Sequence, residues 1–185
     1  MQKKIMRYTL LLIMLAIGGC VAIPTDIEPV QGFELQRYLG RWYEIARLDH
    51  SFERGLVNVT ADYSLDEDGR VRVVNRGYRS ADDQWETAEG VGAFVGATDV
   101  GRLKVSFFGP FYGGYNIIAL DKDNYSYAMV CGPSLSYLWI LAREPRLDPA
   151  VTEDLMARAR ALGFATEQLI VVEQAVADHL PGSDG

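Results

Sequence analysis

The sequence has few of the residues that build metal centres or disulfide frameworks. Its 185 residues include two cysteines and two histidines, and His50 and His179 form no cluster of metal ligands. Asp49, His50 and Ser51 are neighbours in sequence, but a catalytic triad is defined by how three side chains are arranged in space, and adjacency does not produce that arrangement. No Gly-x-Ser-x-Gly motif is present either. We therefore predict no enzymatic activity, no catalytic residue, no metal site and no cofactor.

Basic residues are also scarce, since 18 Lys and Arg stand against 25 Asp and Glu, giving a net charge of −7. Such a surface repels nucleic acid and gains nothing from anionic lipid head groups. We predict no nucleic-acid partner. Any link to a membrane should come from a lipid anchor and not from a basic patch.

The apolar run at residues 10–17 is too short to span a bilayer as a stable helix, and it follows a basic start. Residues 1–19 are therefore predicted to be a secretion signal. Its end, Ile17-Gly18-Gly19-Cys20, resembles the lipobox of bacterial lipoproteins. The resemblance implies cleavage before Cys20 and lipidation of that cysteine. The alternatives are a plain signal peptide with an incidental cysteine and an uncleaved anchor.

The residue after the lipobox bears on location. Lipoproteins kept at the inner membrane often have Asp there, whereas this chain has Val21. For a Gram-negative host, this implies a protein that is anchored by lipid in the outer membrane, with its folded domain, the barrel predicted below, in the periplasm. Residues 20–32 are predicted to be the lipidated N-terminus and a tether. If Cys20 is lipidated, Cys131 has no partner, and a buried core residue is favoured over a reactive thiol.

Short alternating segments with turn signals between them fill the middle of the chain. Eight such segments are typical of an up-and-down barrel or a sandwich. The run Asp66-Glu67-Asp68-Gly69 is a strong hairpin turn. The predicted strands cover residues 41–48, 58–65, 71–78, 85–95, 103–108, 115–120, 125–130 and 137–143.

One helix and one short strand follow the eight predicted strands. Asp148, before a proline, is a good N-cap, and Gly163 ends the helix. Residues 169–172 are predicted to form a final strand. The folded domain is thus expected to cover residues 33–175, with a flexible tail at 176–185.

Two distant stretches are predicted to meet. Gly40-Arg41-Trp42-Tyr43 begins the first strand, and Arg143 ends the last of the eight. A guanidinium is planar and can lie on an indole face while it donates to carbonyl oxygens. We hypothesise that Trp42 and Arg143 meet and close the bottom of a barrel. The alternative is a core tryptophan and a surface arginine that never touch.

These motifs resemble the lipocalin family. The resemblance rests on Gly40-x-Trp42-Tyr43, on Arg143 with the helix after it, and on the stretches at residues 107–115 and 130–133. It implies an all-β fold, an eight-stranded antiparallel up-and-down β-barrel with one C-terminal α-helix packed outside. It also implies a structural lock of Gly40, Trp42 and Arg143, and binding of fatty acids or lysophospholipids. A homodimer would be consistent with the family.

Alternation along each strand, with the register of the later strands set by comparison with the lipocalin pattern, predicts which side chains face inward. These side chains are mostly apolar or aromatic and suit an acyl chain; simple core packing is the alternative for each aromatic. Arg47, His50, Arg54 and Arg79 lie near predicted loop ends, where they could meet a phosphate or carboxylate head group, but solvated surface charge is favoured for each. The predicted cavity residues are Ala46, Ala61, Tyr63, Val73, Asn75, Phe94, Val105, Phe107, Tyr115, Ile117, Ala128 and Trp139.

Two functions follow from these patterns. The first is a lipid-binding lipoprotein that stores or transports lipid for membrane maintenance. The second is a structural or interaction lipoprotein of the envelope whose barrel is filled with side chains. The small residues among the inward positions favour the first.

Overall fold

The computed structural model describes residues 21–174, so the predicted signal peptide, Cys20 and the C-terminal tail lie outside the described residues. None of the helices within residues 21–174 has the length and apolar character that a bilayer-crossing helix requires. The elements are α1 (Leu35–Tyr38), β1 (Gly40–Arg47), β2 (Leu56–Leu65), β3 (Val71–Arg79), β4 (Gln84–Phe94), β5 (Arg102–Phe108), β6 (Phe111–Leu120), β7 (Tyr127–Cys131), β8 (Leu138–Ala142), α2 (Pro149–Ala161), a 3-10 turn (Thr166–Gln168) and β9 (Ile170–Val171).

Strands β1 to β8 form a closed antiparallel barrel. Each strand pairs with the next along the chain, β8 pairs with β1, and β1 pairs with β2 from Gly40–Tyr63 to Tyr43–Thr60. The predicted fold class is confirmed. β9 lies antiparallel to β1 through Ala46 and Arg47, where β1 no longer pairs with β2.

The barrel has two distinct ends. At the floor, where β1 begins, tight turns such as the one after β2 join the strands; Asp66 accepts the Arg70 amide there, and Gly69 takes a positive φ of 76°. The end where β1 finishes is called the mouth. The connections at the mouth are residues 48–55, 80–83, 109–110 and 132–137.

Apolar side chains form one cluster inside the barrel and another outside it. The outer cluster lies beneath α2, whose Leu155 and Ala159 are fully buried. The side chain of Asp148 accepts the Ala150 amide at 2.8 Å, which confirms the predicted N-cap. Burial of a leucine such as Leu155 stabilises the fold by about 1.5–3 kcal/mol, so the outer cluster holds the helix on the barrel wall.

β6 begins earlier than predicted. Only Gly109-Pro110 connects it to β5, so the strand starts at Phe111 and not at residue 115 as predicted. Gly114 lies within this strand. A side chain does not fit there, because a Cβ would lie only 2.8 Å from the carbonyl oxygen of Ala22. The glycine marks a close approach of two backbones and not a turn.

The segment predicted as a tether packs against the outside of the barrel. Ile27 is buried in the outer cluster. The Val30 amide donates to the Ile117 carbonyl oxygen at 2.8 Å, and the Gly101 amide donates to Val30 in turn. Residues 22–32 therefore follow the barrel wall towards the floor instead of extending freely from it.

Candidate functional site

The floor of the barrel is closed by Trp42 and Arg143. The Trp42 indole N–H donates to the Tyr38 carbonyl oxygen at 2.8 Å. The Arg143 guanidinium carbon lies 4.0 Å from the Trp42 ring centroid, and its nitrogens donate to the carbonyl oxygens of Arg41, Arg37 and Leu39 at 2.7–3.0 Å. The predicted contact between Trp42 and Arg143 is present, and it ties the last barrel strand to the chain that enters the first.

Three tyrosine hydroxyl groups form a hydrogen-bonded chain above this floor. The Tyr115 hydroxyl oxygen lies 2.7 Å from that of Tyr38 and 2.8 Å from that of Tyr63. Burial raises the pKa of all three phenols, so they stay neutral. The chain of hydroxyls satisfies these polar groups within an apolar interior and makes a rigid base for the space above it.

The predicted cavity residues, except Ala46, face the barrel interior. Tyr63, Val73, Ile117 and Ala128 are buried among the inner cluster. Asn75 shares a face with Val73, and its Oδ1 is buried without a hydrogen-bond partner. The apolar and aromatic residues of the predicted cavity that keep some exposure are Ala61, Phe94, Val105, Phe107, Tyr115 and Trp139.

Ala46 lies on the opposite side of the barrel wall from the predicted one. β1 advances from Glu44 to Ala46 while its partner strand advances only from Leu141 to Ile140, which is a β-bulge. The extra residue reverses the alternation. Ala46 therefore belongs to the outer cluster, and Arg47 faces inward. The structure corrects the prediction that Ala46 lines the cavity.

Arg47 and Glu44 form a buried, hydrogen-bonded pair inside the barrel. Arg47 Nη1 donates to Glu44 Oε1 at 2.7 Å, and its Nη2 donates to the carbonyl oxygens of Glu53 and Leu56 at 2.8 and 3.2 Å. Only 1% of Arg47 is exposed. The prediction of a solvated surface arginine is wrong here, because the bulge turns the side chain inward and the β1–β2 loop supplies carbonyl acceptors.

A second acid, Glu53, folds back from the β1–β2 loop over the interior. Its Oε2 accepts the indole N–H of Trp139 at 3.1 Å and lies 3.2 Å from Nε2 of His50. The His50 ring is 5% exposed and stacks on Phe52 with centroids 4.0 Å apart. His50 is therefore also buried, contrary to the prediction. Glu44, Arg47, His50 and Glu53 are called the polar cluster below.

The two carboxyl groups of the polar cluster have opposite pKa shifts. Burial raises the pKa of Glu44 well above its usual range, and the charge of Glu53 raises it further, against the lowering effect of Arg47. Burial also raises the pKa of Glu53, but His50, Trp139 and Arg47 together outweigh burial and hold that pKa below its usual value. Glu53 is thus the carboxylate of the cluster, and Glu44 keeps its proton to higher pH.

The arrangement joins two kinds of surface. The wall around Val105, Phe107 and Trp139 is apolar and partly open, whereas the polar cluster offers a cation and a carboxylate next to Trp139. Such a pair of surfaces can accommodate a molecule with an apolar chain and a polar end. The sequence signal that could have located the cluster is an acid on the inward face of β1, with an arginine three residues later.

Two further features lie outside the barrel interior. Cys131 is fully buried in the outer cluster, and burial raises the pKa of its thiol to about 12, so it is unreactive. A surface groove of about 680 Å³ runs between α2 and β9. Within residues 21–174, no group of three or more His, Cys, Asp or Glu side chains is placed to hold a metal ion.

Comparison with known families matches residues 33–174 of this chain to the lipocalin-like domain. The chain is 48% identical to the outer membrane lipoprotein Blc of Vibrio cholerae over 165 residues, which covers 89% of this chain and 96% of the relative. It is 51% identical to the protein of the same name from Escherichia coli K12 over 151 residues, covering 82% and 85%. Apolipoprotein D of Bos taurus is 33% identical over 164 residues, covering 85% and 84%.

Solved structures share the fold at much lower sequence identity. Insecticyanin from the tobacco hornworm Manduca sexta superposes with a TM-score of 0.66 at 22% identity, covering 85% of this chain and 89% of that chain. The cockroach allergen Per a 4 superposes with a TM-score of 0.64 at 21% identity, covering 85% and 96%. These two likenesses concern the fold alone.

Proposed function

The chain belongs to the lipocalin family, whose members bind small hydrophobic ligands, and we propose that its barrel binds a fatty acid or a lysophospholipid. The observation that carries this proposal is a barrel closed at its floor by Trp42 and Arg143 and lined above by partly open apolar side chains. Each methylene group that leaves water for such a wall contributes about 0.8 kcal/mol. A long acyl chain can therefore bind without any charge pairing.

The polar cluster supports a ligand with a polar end. An acyl chain against Phe107 and Val105 would leave its head group near Trp139 and Glu53, where His50 and Arg47 also lie. A free carboxylate and a zwitterionic lysophospholipid head group are both compatible with a cluster that carries both signs of charge.

The proposed setting is the outer membrane. The relatives from Vibrio cholerae and Escherichia coli are named outer membrane lipoproteins, and the lipobox of this chain ends at Cys20. We propose that lipid on Cys20 anchors the protein, that the barrel lies in the periplasm, and that bound lipid is stored or transported for membrane maintenance. No catalytic step is part of this function.

Direct titration tests the proposal. The soluble form beginning at Val21 is delipidated and titrated with fatty acid and with lysophospholipid while tryptophan fluorescence is followed. Saturable one-to-one binding at micromolar or lower concentration is expected, and the ratio of affinities gives the head-group preference. Absence of binding to either lipid by a folded protein contradicts the proposal. Sedimentation of the same samples gives the oligomeric state and tests for a homodimer.

Substitution of Trp139 locates the site within the barrel. Trp139→Ala removes apolar wall and the hydrogen bond to Glu53, so affinity should fall by about tenfold or more. Trp85→Ala is the matched control, because Trp85 contacts Tyr78 and Arg76 on the outside of the sheet. Equal affinities for the two variants would place the ligand elsewhere.

A structural or interaction lipoprotein is the second candidate, and the filled lower half of the barrel favours it. Tyr38, Trp42 and Tyr63 occupy that region with no more than 7% exposure. This candidate predicts no saturable lipid uptake and a protein partner found by crosslinking in the envelope. Ala61→Trp would then leave function unchanged, whereas in a lipid carrier it would obstruct the space above Trp42.

A further inference from the structure

One side of the barrel mouth carries exposed apolar side chains. Phe108 and Phe111 flank the Gly109-Pro110 tip of the β5–β6 hairpin, and 81% and 74% of their surfaces are exposed. Leu135, in the neighbouring β7–β8 loop, is 40% exposed. Large apolar groups exposed close together mark a surface that contacts another apolar body. Residues 108–111 and 132–136 are called the apolar rim.

Charge is distributed unevenly around the mouth. The apolar rim contains no charged residue, whereas the β3–β4 turn contains Asp82 and Asp83. The β1–β2 loop also exposes charge, in the ion pair of Asp49 with Arg54. The same loop exposes 57% of Phe52, but beside that ion pair. Among the described residues of the mouth, the sector around β5 to β8 combines exposed apolar side chains with an absence of charge and is the part best suited to leave water.

The N-terminal segment reaches the barrel beside this same sector. The Asn116 side-chain amide donates to the Ala22 carbonyl oxygen at 3.4 Å. A Cβ built on Gly114 would lie 2.8 Å from that oxygen and 3.6 Å from the Pro133 nitrogen, which belongs to the rim. Consecutive Cα atoms are about 3.8 Å apart. Two such steps separate Ala22, which lies next to the apolar rim, from the cysteine that the lipobox assigns to lipidation.

We propose that the apolar rim docks onto a lipid bilayer, so that the anchor and the rim together seat the barrel mouth on the membrane. This inference rests on the lipid anchor of the proposed function. Because the rim has no basic residues, docking depends on burial of apolar surface and not on anionic lipid. Seating the mouth on the bilayer lets a lipid enter the barrel without crossing water.

Spin-label accessibility tests the docking geometry. The lipidated full chain, as Phe108→Cys or as Glu67→Cys at the floor, is labelled and reconstituted in phosphatidylcholine vesicles. Cys131 is buried and does not compete for the label. For each label, the measured quantity is the ratio of collisions with oxygen to collisions with a nickel chelate. This ratio should be at least about fivefold higher at position 108 than at position 67. Equal ratios at the two positions would overturn the proposal.

The rate at which the anchored protein takes up lipid tests whether docking is the route by which lipid enters the barrel. Vesicle-anchored Phe108→Asp/Phe111→Asp should take up a lysophospholipid carrying a tryptophan quencher at least about tenfold more slowly than the unsubstituted protein. The matched control is Leu65→Asp, since Leu65 is 40% exposed at the floor. In the soluble forms that begin at Val21, affinity for lysophospholipid kept below its critical micelle concentration should be the same in all three proteins. Unchanged loading by the double variant contradicts docking as the route of entry.

The two readouts separate this inference from the proposed function. If the unsubstituted protein binds neither fatty acid nor lysophospholipid, the proposed function fails, whereas the accessibility ratio at position 108 still decides whether the rim meets the bilayer. A third outcome combines two observations: Phe108→Asp/Phe111→Asp converts a dimer into a monomer, and the label at position 108 is shielded from both oxygen and the nickel chelate. The rim would then be an interface between copies of the chain. That outcome also overturns the proposal.

Discussion

At the scale of single residues, the interior of this barrel depends on two carboxyl groups that share one region. Glu44 is paired with Arg47, and Glu53 is held by Trp139 and His50. Full ionisation of both acids in a buried space is unfavourable unless each is compensated. The opposite pKa shifts express this, since one acid ionises readily and the other resists.

The two acids should therefore affect stability in opposite pH ranges. The raised pKa of Glu44 means that its contribution is fully present below its ordinary value of 4.5 and is lost as the pH rises through the folded-state pKa. The glutamine side chain of the Glu44→Gln variant cannot ionise. The free energy of unfolding of this variant, relative to that of the unsubstituted protein, should therefore increase as the pH rises above 4.5. Urea unfolding at a series of pH values measures this.

Glu53→Gln is the matched control for that experiment. The lowered pKa of Glu53 gives a contribution that is present above pH 4.5 and is lost as the pH falls through the folded-state pKa. The substitution should therefore cost more stability at neutral pH than at pH 3 to 4. Parallel pH profiles for the two variants would show that the assignment of the shifts is incorrect.

At the scale of elements, the C-terminal strand completes the barrel wall where β1 and β2 separate. The Val172 amide donates to the Ile45 carbonyl oxygen, and the Asn58 amide donates to that of Glu173. The Gln174 side-chain amide donates to the carbonyl oxygens of Glu44 and Val59 at 2.8 and 2.9 Å. One glutamine thus bridges the two strands and satisfies backbone groups that strand pairing leaves open.

Gln174→Ala should lower the free energy of unfolding by about 1–3 kcal/mol, because two buried carbonyl acceptors lose their donor. Glu173→Ala is the control, since its side chain is exposed and only its backbone takes part. Urea denaturation of both variants measures the difference. A loss no larger for Gln174→Ala than for Glu173→Ala would mean that water replaces the amide.

At the scale of the whole molecule, the barrel, the helix and the N-terminal segment share one packed outer cluster. Ile27, Met129, Cys131 and Leu155 meet in it. Elements that share a core are expected to unfold together. A buried thiol within that core reports when this happens.

Cys131 should react with a thiol reagent only on global unfolding. In a Cys20→Ser protein, labelling should be slower than that of an exposed thiol by about a thousandfold or more, and it should accelerate with urea in step with the loss of circular dichroism. Ser134→Cys in the exposed β7–β8 loop supplies the reference rate. Rapid labelling of Cys131 in the absence of urea would mean that α2 detaches from the barrel independently.

Strand alternation assigned the interior of the early strands, and the resemblance to lipocalins set the register of the later ones. Tyr63, Val73 and Phe107 lie where the period of two places them. The meeting of Trp42 with Arg143 was a hypothesis from two motifs, and the resemblance to lipocalins favoured it over a core tryptophan and a surface arginine that never touch. Ala46 was misplaced because a bulge adds a residue that no local pattern reveals. The burial of Arg47 was missed for the same reason. His50 lies in the loop after β1 and is buried against Phe52 and Trp139, which strand alternation does not describe.

The sequence by itself determined the number of strands, their order and the helix that follows. These features follow from local alternation, turn residues and capping, which act between near neighbours along the chain. Only the tertiary structure decided the polar cluster, the bridge at Gln174 and the position of Ala22 beside the apolar rim. Each of these depends on hydrogen bonds or packing between segments far apart in sequence, and the energy of such contacts exists only once the barrel has closed.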